Sequence, residues 1–219
     1  MTLVLGIDEA GRGPVIGPLV ISGVLINKGE EEKLVKIGAK DSKLVPVNQR
    51  ERIFDKIIDV AKSTQIITIE VDEIDKAVES TEGMNLNWLE AKKSAEIINE
   101  FKPDVVILDS PHPIAEKYGE YVRELLDNKS IEIISEHKAD ENYPLVGAAS
   151  ILAKVTRERE MEKIKMKYGD VGPGYPANPI TKKFVEENFE KHPEIFRKSW
   201  ATFKNQVKKK NQKNLTDYK

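Results

Sequence analysis

An unbroken apolar run from Leu3 to Ile7 stops at Asp8 and Glu9 and passes into Ala10-Gly11-Arg12-Gly13-Pro14. Without polar alternation, such a run fits a strand buried on both faces. A second apolar run, Pro18 to Ile26, follows a short Gly/Pro-rich connection, so the pair predicts an antiparallel hairpin. Gly29 to Leu44 is charged and ends in Lys40-Asp41-Ser42-Lys43, a loop. Pro46 and Asn48 open a helix to about Ala61 with Ile53, Ile57, Ile58 and Ala61 on its inner face. Thr64 to Val71 alternates and is rich in β-branched residues, as a strand should be. Asn85 to Phe101 is an amphipathic helix with Leu86, Leu89, Ala95 and Ile98 inward, and Val105 to Leu108 is a buried strand ending at Asp109-Ser110-Pro111. A helix from about Ile114 to Leu126, a strand Ile131 to Ile134 and an apolar helix from Leu145 to about Tyr168 follow. The Gly/Pro cluster from Gly172 to Pro179 then breaks the chain before two further helices. Alternating strands and helices without an internal repeat predict a mixed α/β fold.

Acids fall at the ends of three of these elements: Asp8 and Glu9, Asp109, and Asp140. Parallel strands bring such ends to one sheet edge. Adjacent residues on a flat strand face opposite ways, so Glu9 must lie past the strand end to join Asp8. Four carboxylates without histidine make a hard-oxygen site, suited to Mg²⁺ or Mn²⁺ and poor for Zn²⁺. Two such ions about 4 Å apart serve in-line phosphoryl displacement. Taken singly, Asp140 or Glu141 could cap a helix and Asp109 could brace an Asp-Ser-Pro turn. Among supporting residues, Lys43 could reach a phosphate or be a solvated loop lysine. Ser150, Lys154 and Arg157 recur at helical spacing and could face a phosphate strand, or serve helix packing and surface pairing with Glu158 or Glu160. Tyr175 sits in a loop too rich in glycine and proline to be core, whereas Trp88 and Trp200 read as packing residues. His137 suits a structural hydrogen bond better than acid-base work.

Composition narrows the class. With 219 residues, 39% hydrophobic and 33% charged, the chain suits one substantial core with an ionised surface. Without cysteine, disulfides and thiolate chemistry are excluded. No apolar run approaches the roughly 20 residues of a membrane span, and the N-terminus reads into a strand instead of a leader, so a cytoplasmic protein is expected. The net charge of −2 hides an excess of seven positive charges from Ile195 onward, an electrostatic footprint for nucleic acid. Two rivals share some of these features. Sugar kinases and actin-like ATPases also open on a Gly-Ile-Asp strand, but need two lobes and a second phosphate loop. A non-catalytic nucleic-acid-binding module could use the acids for a structural ion.

In motif order the chain resembles the type 2 ribonucleases H, ribonuclease HII, and looks most like their archaeal branch. The resemblance rests on G-I-D-E-A-G-R-G-P at Gly6 to Pro14, D-S-K at Asp41 to Lys43, N-L-N at Asn85 to Asn87 and I-L-D-S-P at Ile107 to Pro111. It continues through H-K-A-D-E-N-Y-P at His137 to Pro144, A-A-S-I-L-A-K-V-T-R at Ala148 to Arg157, and G-P-G-Y-P at Gly172 to Pro176. It implies a ribonuclease H-like mixed sheet flanked by helices over residues 1–170, then a helical substrate-binding extension with a basic tail over 171–219. It further implies an endonuclease that cuts RNA in RNA/DNA hybrids and incises 5′ of ribonucleotides embedded in duplex DNA, leaving 3′-hydroxyl and 5′-phosphate ends. Asp8, Glu9, Asp109 and Asp140 would be its catalytic, metal-holding acids. Gly11, Arg12 and Gly13 would sense the ribose 2′-hydroxyl, and Tyr175 would pack on the sugar at an RNA-DNA junction. A monomer is expected, and Asn211 to Lys219 matches no sliding-clamp motif well enough to assign that partner.

Overall fold

The computed structural model describes residues 1–39, 45–81 and 83–216. Lys43 lies outside them. Five strands form one mixed sheet in the order β3-β2-β1-β4-β5: β1 (Leu3–Ala10), β2 (Leu19–Asn27), β3 (Ser63–Ile69), β4 (Val105–Asp109) and β5 (Glu132–Glu136). β1 and β2 are the expected antiparallel hairpin, in register from Leu3 opposite Asn27 to Ala10 opposite Val20. β4 runs parallel to β1, and β5 parallel to β4. Nearly every residue of β2 is buried, which is why its sequence lacks alternation.

The described helices are α1 (Glu31–Lys36), α2 (Val47–Val60), α3 (Val71–Val78), α4 (Leu86–Phe101), α5 (Ala115–Leu125), α6 (Ala139–Asn142), α7 (Pro144–Tyr168), α8 (Pro179–Asn188) and α9 (Ala201–Thr216). A 3₁₀ turn spans Pro193–Ile195. Leu34 of α1, Ile53, Phe54 and Ile57 of α2, and Leu145, Ile151, Leu152 and Val155 of α7 join Val4, Val24 and Ile26 of the sheet in one apolar core. On the opposite face Ile97 of α4 packs over Gly23 beside Leu5 and Ile7. Ser94 of α4 and Tyr118 of α5 share a buried hydrogen bond of 3.3 Å.

Several sequence expectations need correction. β1 extends through both acids to Ala10, because its ladder with β2 continues past them. α1 lies in the charged stretch before Lys40, to which the sequence assigns no element, and Val71 begins α3 instead of ending β3. Ile58 is 43% exposed, and Phe54 takes its place in the core. Trp88 and Trp200 are only half-buried. Trp88 packs against the rings of His112 and Tyr121.

The chain forms two compact units, each assembled from three segments. Residues 1–10, 20–68 and 86–157 make the first, and residues 11–19, 69–85 and 158–219 the second. This division differs from a single cut after residue 170, because the segment following β1 and the segment carrying α3 both pack with the C-terminal part. In the second unit Val15 and Ile16 share a core with Met161, Val171, Phe184, Val185, Ile195, Phe196 and Phe203.

Candidate active site

In the first unit the position of each acid follows from how α7 lies along β1. Leu145 packs on Gly6, where a Cβ would come within 2.8 Å of the Leu145 backbone, so only glycine fits. Further along, the Ser150 hydroxyl bonds to Asp8, and Ala153 packs with Ala10 and Val20. From Leu145 to Ala153 a helix advances about 12 Å, and from Gly6 to Ala10 a strand advances about 13 Å. Helix and strand therefore keep step, and the Ser22 hydroxyl fixes their register by donating to the Ala149 carbonyl at 2.5 Å.

Asp8 is thereby held on the α7 side, 4% exposed. The β1–β4 ladder ends with Ile7 opposite Leu108, so Asp8 and Asp109 occupy the next position and share a face. Asp109 Oδ1 accepts a hydrogen bond from the Ala139 N–H at 2.8 Å, tying the end of β4 to α6. Buried Asp140 is the next residue. It follows Lys138, whose left-handed backbone (φ 60°) turns the chain into α6. Burial first, then the negative charge of Asp109 and more weakly that of Asp140, push the Asp8 carboxyl up to about 7. Hydrogen bonds from Ser150 and the Glu9 N–H oppose that rise without cancelling it.

Glu9 differs from expectation. It remains inside β1, opposite Ile21, so strand alternation directs its Cβ away from the side that Asp8 faces. Its backbone N–H donates to Asp8 Oδ1 at 2.7 Å. Among the described residues no three acidic, histidine or cysteine side chains already stand as a metal cage. The three aspartates nonetheless fit a hard cation. The donors are all oxygen, and ionising Asp8 works against both burial and two like charges, a cost that a divalent ion would remove.

Other expected residues distribute as follows. Ser150 is fully buried against Asp8, Lys154 is half-buried on α7, and Arg157 is 7% exposed. Arg157 is therefore part of the packed interior, in keeping with its reading as a helix-packing residue and not as a phosphate contact. His137 Nε2 bonds to the His112 carbonyl at 2.9 Å, a structural link between the loops after β4 and β5.

In the second unit Gly11 adopts φ 97°, a conformation that other residues strain to reach. Tyr175, 45% exposed, lays its ring beside Gly13: a Cβ there would meet it at 3.8 Å. The Gly174 carbonyl receives the Val15 N–H at 2.8 Å, and the Thr181 hydroxyl braces the loop by donating to the Val171 carbonyl at 2.9 Å. Sequence reasoning missed Arg197, which it counted only among the basic tail residues. Arg197 is wholly buried and donates to the carbonyls of Gly11, Arg12 and Gly17.

A mixed sheet in this order, covered by helices on both faces and with aspartates from β1, β4 and α6 acting on one another, defines a nuclease of the ribonuclease H type. The ribonuclease HII family model matches residues 5–203. The chain is 44% identical to the ribonuclease HII of Thermococcus sibiricus over 222 residues, covering 97% of this chain and 96% of that protein. The crystal structure of ribonuclease H2 from Pyrococcus horikoshii OT3 superposes with a TM-score of 0.86 at 40% identity, covering 95% of this chain and 98% of that one. The ribonuclease HII in the PCNA:RNase HII complex from Archaeoglobus fulgidus gives a TM-score of 0.81 at 38% identity, covering 90% and 95%. This chain belongs to the ribonuclease HII family. It is a ribonuclease H, an endonuclease of RNA/DNA hybrids, and the kinase-like and purely binding alternatives fall.

Proposed function

We propose that the chain is a divalent-metal-dependent endonuclease that, besides cutting RNA/DNA hybrids, incises duplex DNA 5′ of an embedded ribonucleotide. The observation that carries this reading is Asp8, buried beside Asp109 and Asp140 with its carboxyl pushed up to about 7. Asp8, Asp109 and Asp140 would hold Mg²⁺ or Mn²⁺, with Glu9 as the fourth acid. Bound there, the ions supply Lewis acidity for phosphodiester hydrolysis, which leaves a 3′-hydroxyl and a 5′-phosphate.

The chain's own groups set the geometry. Ser150 and the Glu9 N–H orient Asp8, and the Ala139 N–H orients Asp109. The hydroxyl of Ser150 thus serves through Asp8, and Lys154 remains a candidate phosphate contact further along the same helix. In the second unit the Gly11-Arg12-Gly13 turn would receive the ribose 2′-hydroxyl, and the exposed ring of Tyr175 would pack on the neighbouring sugar. Lys182, Lys208 and Lys209 line an open groove of about 610 Å³ beside Pro176, suited to a phosphate backbone.

A duplex carrying one ribonucleotide, incubated with the protein and Mg²⁺ or Mn²⁺ and resolved on a denaturing gel, should show a single nick on the 5′ side of that residue. Cleavage confined to long hybrids would overturn the junction reading. Full turnover by Glu9→Gln would remove Glu9 from the acid set and leave the three aspartates.

A further inference from the structure

We infer that Arg197, assisted by Trp200, is a positioning residue for ribose recognition, holding the carbonyls of the Gly11-Arg12-Gly13 turn so that its amides face the ligand. This rests on the reading of that turn as the 2′-hydroxyl sensor.

Arg197 is 0% exposed, an expensive place for a cation unless its donors are used. Nη2 donates to the Gly11 carbonyl at 2.6 Å, Nη1 to the Arg12 carbonyl at 2.9 Å and Nε to the Gly17 carbonyl at 3.1 Å. Trp200 lies 4.9 Å from the guanidinium, and its Nε1–H donates to the Gly13 carbonyl at 3.2 Å. Every carbonyl of the Gly-Arg-Gly turn is therefore bound by one of two neighbouring side chains.

Peptide planarity gives this a directional consequence. In a trans peptide the C=O and the following N–H point opposite ways. Fixing the Gly11 and Arg12 carbonyls on the guanidinium turns the N–H groups of Arg12 and Gly13 away from it, the direction from which an oxygen ligand would accept them. A positive charge against the carbonyls also polarises those amides into stronger donors.

The clamp is itself anchored. The Arg197 N–H bonds to the Val15 carbonyl at 2.9 Å. Asp75 of α3, 8% exposed, receives the N–H groups of Lys198 at 2.8 Å and Ser199 at 2.9 Å, and the Ser199 hydroxyl at 2.5 Å. Lysine keeps the charge of arginine but not the planar fork, so it cannot span three carbonyls in fixed directions.

The test compares the full chain with Arg197→Lys and Trp200→Phe. It measures kcat/KM on a duplex with one ribonucleotide, and the inhibition constant of the same duplex made wholly of DNA. Arg197→Lys should lower kcat/KM at least about tenfold, with Trp200→Phe losing less, while the all-DNA inhibition constant stays within about twofold. A merely structural role would lower the folded fraction and weaken both measurements together, and that result overturns the proposal. So does wild-type kcat/KM in a folded Arg197→Lys. Should Arg197→Lys not fold, Trp200→Phe decides by the same two numbers. A wild-type chain that cuts hybrids but ignores the single ribonucleotide removes the reading of the turn, and the clamp with it.

Discussion

Asp8 gives the chemistry of this protein a measurable signature before any substrate is added. Its carboxyl has an ordinary value of 3.8 and is pushed up to about 7 in the fold. Below pH 3.8 the folded and unfolded chains both hold the proton. Between there and about 7 only the folded chain does, so stability of the metal-free protein falls as pH rises through that window. Asp8→Asn removes this penalty and should stabilise the metal-free protein at pH 8 by on the order of 2 kcal/mol, while abolishing turnover. Thermal melts should also show Mg²⁺ raising Tm more at pH 8 than at pH 5, with the difference absent in Asp8→Asn. An Asp8→Asn variant less stable than the parent without metal would contradict the charge argument. The aspartates were legible in the sequence because an acid terminating an apolar run conflicts with its surroundings. Arg197 was not, because its meaning lies in carbonyls 185 and 186 residues away and nothing in the local basic pattern reveals them.

At the scale of elements, the pairing of α7 with β1 fixes where Asp8 sits, and Gly6 is where it is tightest. Gly6→Ala places a methyl within 2.8 Å of the Leu145 backbone and side chain, so helix and strand must part. A loss of about 3 kcal/mol is expected by denaturant titration, with kcat falling as Ser150 is drawn off Asp8. An unchanged melting curve would show that α7 moves freely over the sheet. The hairpin and the parallel strands were readable from runs of Val, Ile and Leu. α3 was hidden because Ile66 to Val71 continues a strand-like pattern of β-branched residues. The chain bends into a helix after Glu70, where Asp72 and Glu73 suit the positive end of the helix dipole. Ile58 was misassigned because the inner stripe of α2 passes through Ile53, Phe54 and Ile57 and leaves the next residue outward. The lysines of the C-terminal segment are also not all uncommitted charge: Lys204 pairs with Glu79 at 3.2 Å, and Lys210 with Glu190.

For the molecule as a whole, interleaving of the two units means that neither can be released by one cut. A fragment of residues 1–170 keeps Val15, Ile16 and Met161 but loses Val171, Phe184, Val185, Ile195, Phe196 and Phe203, which pack with them. It should bind a hydrophobic dye and self-associate on size exclusion, whereas a soluble, monodisperse fragment would show that the second core is dispensable. Sequence reading placed the boundary at the Gly/Pro break because composition marks breaks in the chain, whereas compactness depends on which distant segments share a core. That interleaving also sets a timetable. Gly11 leaves the ribosome 186 residues ahead of the guanidinium that fastens it. At about 5–20 residues per second the interval is roughly 10–40 s. During synthesis the nascent chain thus carries its acids while the carbonyls of the Gly11-Arg12-Gly13 turn still lack their clamp, and that turn is fastened only once Arg197 has been made.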